Sequence, residues 1–166
     1  LRLALFCGEA LLPDQLKKLF TAVPDLRVIN TYGPTEATVS MTQIWLTKED
    51  YHNYSLETVA LGEPIPGMTW YLEGGEDSNE GEIIIKGPQV ANGYWRNAAF
   101  TNSQFMEFPD GSRGYKTGDW AKKIDGQVYF CNRVDDQVKV KGHRLELGEV
   151  DAALRSAGAI VAKTFF

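Results

Sequence analysis

The segment Asn30-Thr31-Tyr32-Gly33-Pro34-Thr35-Glu36-Ala37-Thr38-Val39 concentrates three kinds of chemistry. Tyr32 offers a flat ring, Thr35 a hydroxyl and a backbone N–H, and Glu36 a carboxylate. Gly33-Pro34 forces a tight turn that holds all three in one loop. A flat ring, a phosphate donor and a hard-cation ligand are what a magnesium nucleotide requires. A purely structural turn with Thr35 as a helix cap fits the same residues, and spacing alone does not choose. In Tyr115-Lys116-Thr117-Gly118-Asp119-Trp120, a glycine that lets the backbone bend precedes a carboxylate. Its two acceptor oxygens match the two hydroxyls of a ribose; an ordinary turn aspartate is the plain alternative. The third segment runs from Arg133 through Asp135-Asp136 to Arg144. A fixed guanidinium suits ribose and phosphate oxygens, and an acidic pair at a change of texture suits a hinge. A charged hairpin explains it equally well. His52 and His143 lie in polar surroundings and read as surface residues.

These groups need elements to place them. Residues 1–6 read as a strand, and Pro13 opens a helix at its first turn. Leu16, Leu19, Phe20 and Val23 carry the spacing of one buried helical face. Pro24-Asp25 ends the helix, and Arg27–Thr31 reads as a second strand. Strand, helix, strand is the crossover of a parallel sheet, with ligands expected at the carboxyl ends of the strands. Two loops fall there: Cys7-Gly8-Glu9 and Tyr32–Glu36. From Gly62 onward, short β-type runs (Thr69–Glu73, Glu82–Lys86, Gln127–Asn132) alternate with turn residues. That pattern predicts a small antiparallel sheet or barrel. Stretch 74–81 reads as a hairpin tip, and Asn97–Gln104 as a short helix. Beyond residue 135 the pattern predicts a two-faced strand around Val138 and Val140, a helix over Leu147–Ala157 and a strand over Ile160–Phe166. Both ends of the chain read as cuts through a larger protein.

Composition bounds the answer. The chain has 166 residues, 43% apolar and 23% charged, with a net charge of −5. A bulk electrostatic grip on nucleic acid is therefore not expected. Positions 110–144 nevertheless carry eight Lys or Arg against five Asp or Glu, while the remainder carries nine against seventeen. Cys7 and Cys131 form neither a disulfide framework nor a metal spacing. No apolar run reaches the roughly 18 residues of a membrane helix, so no membrane insertion and a cytoplasmic location are expected.

Six pieces occur in one order: FCGEAL, NTYGPTEAT, LGEPIPG, GEIIIKGPQVANGYW, YKTGD and NRVDDQVKVKGHRLELGEV. Together they resemble the adenylate-forming superfamily of AMP-binding enzymes. Within it, the chain looks most like D-alanine–D-alanyl carrier protein ligases and the adenylation domains of non-ribosomal peptide synthetases. The resemblance implies an α/β fold made of the end of a parallel-sheet subdomain, a small antiparallel β subdomain and the start of a small α+β C-terminal domain. Residues 1–134 would be the C-terminal part of the large domain, α/β over 1–60 and β-rich over 61–134. Residues 135–166 would begin the mobile domain. It implies ATP and Mg²⁺, a small amino acid as substrate, and a phosphopantetheinylated carrier protein as partner.

Carried over residue by residue, Asn30, Thr31 and Tyr32 line the adenine pocket, Tyr32 stacking on the ring. Gly33, Pro34 and Phe130 complete the nucleotide set. Thr35 contacts the α-phosphate and Glu36 holds Mg²⁺, the two placed at the reacting centre. Asp119 takes the ribose hydroxyls, and Arg133 contacts ribose or phosphate. Asp135 is the hinge, and Gly142 faces the pantetheine tunnel. Leu5, Cys7, Thr31, Val39 and Ser40 match the acyl pocket. None of these five is charged or aromatic, which points to a small side chain, D-alanine first. Asn132 stands where the family usually has glycine before the arginine; asparagine tolerates positive φ. The resemblance implies that the family's phosphate loop and ammonium-binding Asp would lie before Leu1 and its catalytic Lys after Phe166, so this piece alone is expected to be inactive. The alternatives are an acyl-CoA or aryl-acid ligase of the same superfamily, and a non-catalytic module that only binds a carrier.

Overall fold

A computed structural model describes residues 1–73, 78–140 and 143–165. Two compact units divide it, Leu1–Asn132 and Arg133–Phe166.

The first unit opens with β1 (Leu3–Phe6), α1 (Pro13–Ala22) and β2 (Arg27–Tyr32). Strands β1 and β2 pair in parallel, Leu3 opposite Arg27 and Phe6 opposite Asn30, as the crossover reading requires. Pro13 sits in the first turn of α1, where its missing N–H costs nothing. The Gln15 side chain accepts the Leu12 backbone N–H at 2.8 Å. Leu16 and Phe20 are buried, and Leu19 and Val23 flank them at the same face. They pack with Val28 of β2 and with Ala4 and Phe6 of β1. Side chains alternate along β1, so Leu5 points to the opposite face.

Strand β3 (Thr42–Leu46), which the sequence pattern did not single out, pairs antiparallel with β2, and the short β4 (Glu63–Pro64) pairs with β3. The sheet order is β1-β2-β3-β4.

The second sheet is antiparallel, as the turn-rich texture predicts. It contains β5 (Thr69–Leu72), β6 (Glu80–Lys86), β7 (Phe105–Glu107), β8 (Arg113–Ile124) and β9 (Gln127–Arg133), with order β5-β6-β8-β7 and β9 on β8. Strand β6 begins inside the stretch read as a hairpin tip; residues 74–77 of that stretch lie outside the described residues. Asp125 and Gly126, both at positive φ, close the turn between β8 and β9, the backbone that an Asp-Gly hairpin favours. The expected short helix is present as α2 (Ala98–Gln104), where the Asn97 side chain accepts the Phe100 N–H at 3.1 Å. Ile83, Ile85, Tyr115, Val128, Met41 and Leu61 form the core of this half.

The second unit contains an antiparallel hairpin, β10 (Gln137–Val140) with β11 (His143–Glu146), followed by α3 (Leu147–Ser156). The strand expected over Ile160–Phe166 is not formed: the described residues 160–165 join no sheet. A strand needs partners for its backbone groups. Here the Thr164 N–H instead donates to Asp151 Oδ1 of α3 at 2.6 Å, and Ile160 is 98% exposed. Among the described residues no helix is long and apolar enough to cross a membrane.

Leu16 is fully buried between α1 and the first sheet. Leu16→Ala is therefore expected to lower stability by about 2–5 kcal/mol in urea unfolding. A loss below about 1 kcal/mol would mean that α1 is not packed as described.

Candidate functional site

The end of β2 and the loop after it form the centre of the site. Asn30 is buried, and its side-chain amide donates to the Ala60 carbonyl at 3.0 Å. The Thr31 hydroxyl donates to the Phe6 carbonyl at 3.1 Å, tying β2 to the end of β1. The next residue makes the decisive contact. The Tyr32 hydroxyl donates to Asp119 Oδ2 at 2.7 Å across 87 residues. Two residues chosen from separate motifs thus meet side by side.

Local backbone features aim each partner. In β8, Trp120 pairs with Glu82 and Lys116 with Ile84, so residues 117–119 bulge opposite Ile83. Gly118 takes φ +72° there, and its N–H donates to Glu82 Oε1 at 2.8 Å. The Thr117 hydroxyl donates to the Ile83 carbonyl at 2.8 Å and accepts the Asp119 N–H at 3.0 Å. A bulge re-aims one side chain out of the ladder, and here that side chain is Asp119, only 7% exposed. On the other side, Met41 N–H donates to the Tyr32 carbonyl at 2.8 Å and closes the loop on itself. A Cβ on Gly33 would lie 2.6 Å from the Val39 carbonyl oxygen, so this close approach requires glycine.

After Pro34 the chain makes a short 3-10 turn, Thr35–Ala37, and then two left-handed residues, Thr38 at φ 59° and Val39 at φ 71°. Glu36 is 9% exposed. Its Oε1 accepts the Tyr94 hydroxyl at 2.8 Å, and its backbone carbonyl accepts the Ala91 N–H at 2.8 Å. Burial, then the bonds to Tyr115 and Glu36, push the Tyr94 phenol well above its ordinary 10.0. Among the described residues no group of three or more His, Cys, Asp or Glu could hold a metal alone. A magnesium ion that keeps its waters and binds substrate phosphates needs only one or two carboxylates. Glu36, carboxylate fixed and nearly buried, fits that requirement.

Of the acyl-pocket positions, Cys7 and Val39 come together: Cys7 Sγ donates to the Val39 carbonyl at 3.7 Å. Thr31 is buried on β2, Leu5 is exposed on β1, and Ser40 is partly buried. Phe130 packs against the β-rich core, and its carbonyl accepts the Thr58 hydroxyl at 3.0 Å. In the second unit, Arg133 Nε donates to Asp135 Oδ1 at 2.7 Å and Nη2 meets Oδ2 at 2.5 Å. Burial raises the Asp135 carboxyl, but the Arg133 contacts outweigh it and hold the group below its ordinary 3.8. Gly142 lies outside the described residues. The sequence pattern does not single out Glu82, Gln89, Tyr94 or Tyr115. Three of these four sit inside the motif GEIIIKGPQVANGYW, yet a single polar side chain carries no period to mark it. A separate cleft of about 620 Å³ is lined by Lys86, Asp110 and Arg113 among others. Lys86 pairs with Asp110, and Arg113 donates to the Ala91 and Asn92 carbonyls, so both cations are engaged.

The AMP-binding enzyme family matches residues 1–95, more than half of the chain. The chain belongs to the AMP-binding enzyme family. It is 40% identical over 154 residues to a D-alanine–D-alanyl carrier protein ligase of Bacillus licheniformis, covering 91% of this chain and 30% of that protein. The Staphylococcus aureus ligase of the same name is 40% identical over 152 residues. The chain thus spans about 30% of the length of these relatives. Among solved structures, the Vibrio cholerae adenylation domain AlmE in complex with glycyl-adenosine-5'-phosphate aligns with TM-score 0.81 at 31% identity, over 94% of this chain and 30% of that one. A non-ribosomal peptide synthetase protein containing adenylation and carrier domains, bound to a vinylsulfonamide inhibitor, aligns with TM-score 0.82 at 32% identity, over 93% and 28%. These likenesses agree with the α/β and antiparallel parts of the fold expected from the motifs.

Gly33→Ala forces a side-chain carbon against the Val39 carbonyl. The substitution is expected to cost about 1–3 kcal/mol in urea unfolding. A parent-like unfolding free energy would show that the loop yields without cost.

Proposed function

We propose that this chain is part of an enzyme that activates the carboxylate of a small amino acid, D-alanine first, with ATP. The enzyme then passes the acyl group to the phosphopantetheine thiol of a carrier protein. The Tyr32–Asp119 hydrogen bond carries this reading. It brings a ring suited to stacking on a base beside a carboxylate suited to a ribose, at the carboxyl end of a parallel strand, where nucleotides bind.

In the first step a carboxylate oxygen of the amino acid attacks the α-phosphorus, and pyrophosphate leaves. In the second, the carrier thiol attacks the acyl carbon, and AMP leaves. Asn30, Thr31, Gly33 and Pro34 shape the adenine side of the cleft, Tyr32 stacks on the base, and Asp119 accepts from the ribose hydroxyls. Thr35 donates to the α-phosphate from a turn whose backbone is already fixed, which favours in-line geometry without further ordering. Glu36 would hold the metal, which would supply positive charge to offset that developing on the phosphate oxygens. Arg133 approaches ribose or phosphate, Phe130 closes the nucleotide side, and Asp135 is the pivot of the mobile domain. Gly142 belongs to the pantetheine path.

Leu5, Cys7, Thr31, Val39 and Ser40 leave a small, uncharged floor. The ligase name of the curated relatives and the glycyl adenylate in one solved neighbour support a small side chain. A pocket of this kind separates substrates differing by one methylene by only about 10–200-fold, so alanine is expected to lead close competitors rather than exclude them.

The test is amino-acid-dependent ATP–pyrophosphate exchange by the full-length gene product. D-alanine is expected to give the highest kcat/KM, with glycine, L-alanine and D-serine behind it; preference for a bulky or charged amino acid, or for a plain carboxylic acid, overturns the assignment. In the same assay Asp119→Ala is expected to raise the KM for ATP about tenfold or more, since a hydrogen bond to a charged group is worth about 1.5–3 kcal/mol. Unchanged ATP kinetics would remove Asp119 from the nucleotide site.

A further inference from the structure

We propose that Tyr94 is a positioning residue for the metal-binding carboxylate. It acts by holding Glu36 Oε1 in one orientation, so that the metal meets a carboxylate already aimed. This inference rests on the reading of Glu36 as the metal ligand.

The geometry is specific. The Tyr94 hydroxyl donates to Glu36 Oε1 at 2.8 Å and lies 3.3 Å from the Tyr115 hydroxyl. Tyr115 is 1% exposed in β8, four residues before Asp119. The loop that carries Glu36 is thus tied to β8 twice, through Tyr32 to Asp119 and through Tyr94 to Tyr115. The Tyr94 ring is itself fixed. It stacks on Phe100 at 4.8 Å between centroids and meets Phe105 edge-on at 5.3 Å. Its backbone N–H donates to the Thr101 hydroxyl at 2.9 Å. The segment leading to Tyr94 grips the rest of the same loop. Ala91 N–H donates to the Glu36 carbonyl, and the Thr38 hydroxyl donates to the Gln89 carbonyl at 3.1 Å. With its amide nitrogen turned toward them, the Gln89 side chain lies 3.2 Å from both the Ala37 and Ser40 carbonyls.

The contacts of Gln89 and Ala91 therefore hold the loop backbone. The Tyr94 hydroxyl does something different: it bonds the carboxylate itself and Tyr115. Groups that orient a metal ligand in this way typically account for 10–100-fold in metal affinity. An unheld glutamate has free rotation about its last carbon–carbon bonds, and ordering it on metal binding costs free energy.

The experiment measures Mn²⁺ binding by electron paramagnetic resonance in the full-length gene product saturated with a non-hydrolysable ATP analogue. Tyr94→Phe keeps the ring and its stacking and removes only the hydroxyl. It is expected to weaken Mn²⁺ binding about tenfold. The half-saturating free Mg²⁺ in pyrophosphate exchange should rise in parallel, with the amino-acid KM and the thermal midpoint close to the parent's. Mn²⁺ affinity within twofold of the parent overturns the proposal. Glu36→Gln is measured beside it. If Glu36→Gln loses Mn²⁺ while Tyr94→Phe retains it, the inference about Tyr94 fails alone; if Glu36→Gln also retains it, the reading of Glu36 fails first. Tyr115→Phe serves as the second variant should Tyr94→Phe not fold. It releases the group that orients the Tyr94 hydroxyl and is expected to weaken Mn²⁺ binding in the same direction by less; no weakening overturns the proposal.

Discussion

One hydrogen bond, Tyr32 to Asp119, joins the two halves of the candidate site across 87 residues. It cannot organise the site by itself. Closing a loop of that length costs roughly 4 kcal/mol of chain entropy, whereas a hydrogen bond to a charged group returns about 1.5–3 kcal/mol. The apolar cores must therefore fix β2 and β8 first. Tyr32 packs against the same cluster that buries Tyr115, Ile83 and Ile85, so burial sets the separation of the strands and the hydrogen bond then selects the side-chain orientations. Substitutions at Ile83 or Ile85 would disturb the site without touching any of its polar side chains.

The loop after β2 is held in a conformation the chain would not choose unaided. Thr38 and Val39 both sit at positive φ, which is costly for β-branched residues. Each strained residue is caught by neighbours. Val39 N–H donates to the Pro34 carbonyl and its carbonyl accepts from Cys7, while Thr38 is bound to Gln89. Backbone strain of this sort persists only where the surroundings over-determine it, and such places cluster at functional sites. The same short segment carries Thr35 and Glu36 and then Val39 and Ser40. On the proposed roles, nucleotide and amino-acid pockets share a single rigid support, and in-line attack needs both ligands at a fixed distance.

What the sequence makes legible is what local physics controls. Pro13 and the spacing of Leu16, Leu19, Phe20 and Val23 locate α1 because both signals act within one helix. Asp119 is legible as a carboxylate after a glycine, although its twelve-residue strand is not, because Gly114 and Gly118 break the alternation there. The partnership of Tyr32 with Asp119, and the grip of Gln89 and Tyr94 on the loop, are tertiary, and no spacing within either segment encodes them. The family resemblance brought the right motifs together without saying which side chains touch. The expected strand over Ile160–Phe166 fails for a related reason. β-type composition states a preference for a pleated surface, and preference becomes a strand only where another strand offers its ladder.

The two units differ in how they are held. Every buried apolar side chain among the described residues lies between Leu11 and Tyr129, in the first unit. In the second, the buried residues are Gln137 and Asp151, and polar bonds organise it: Gln137 to Glu146, Asp151 to Thr164, and Arg133 to Asp135. Such bonds contribute modestly after desolvation and can be exchanged for others at little net cost, whereas a packed apolar core cannot. Segments that move during a catalytic cycle are drawn from the less strongly held part of a fold. Arg133 and Asp135 stand at the first residues of that part. The Arg133–Asp135 clasp, two bonds from one guanidinium to one carboxylate, therefore fixes the chain at the first residues of a unit that has no buried apolar side chain among its described residues to do so.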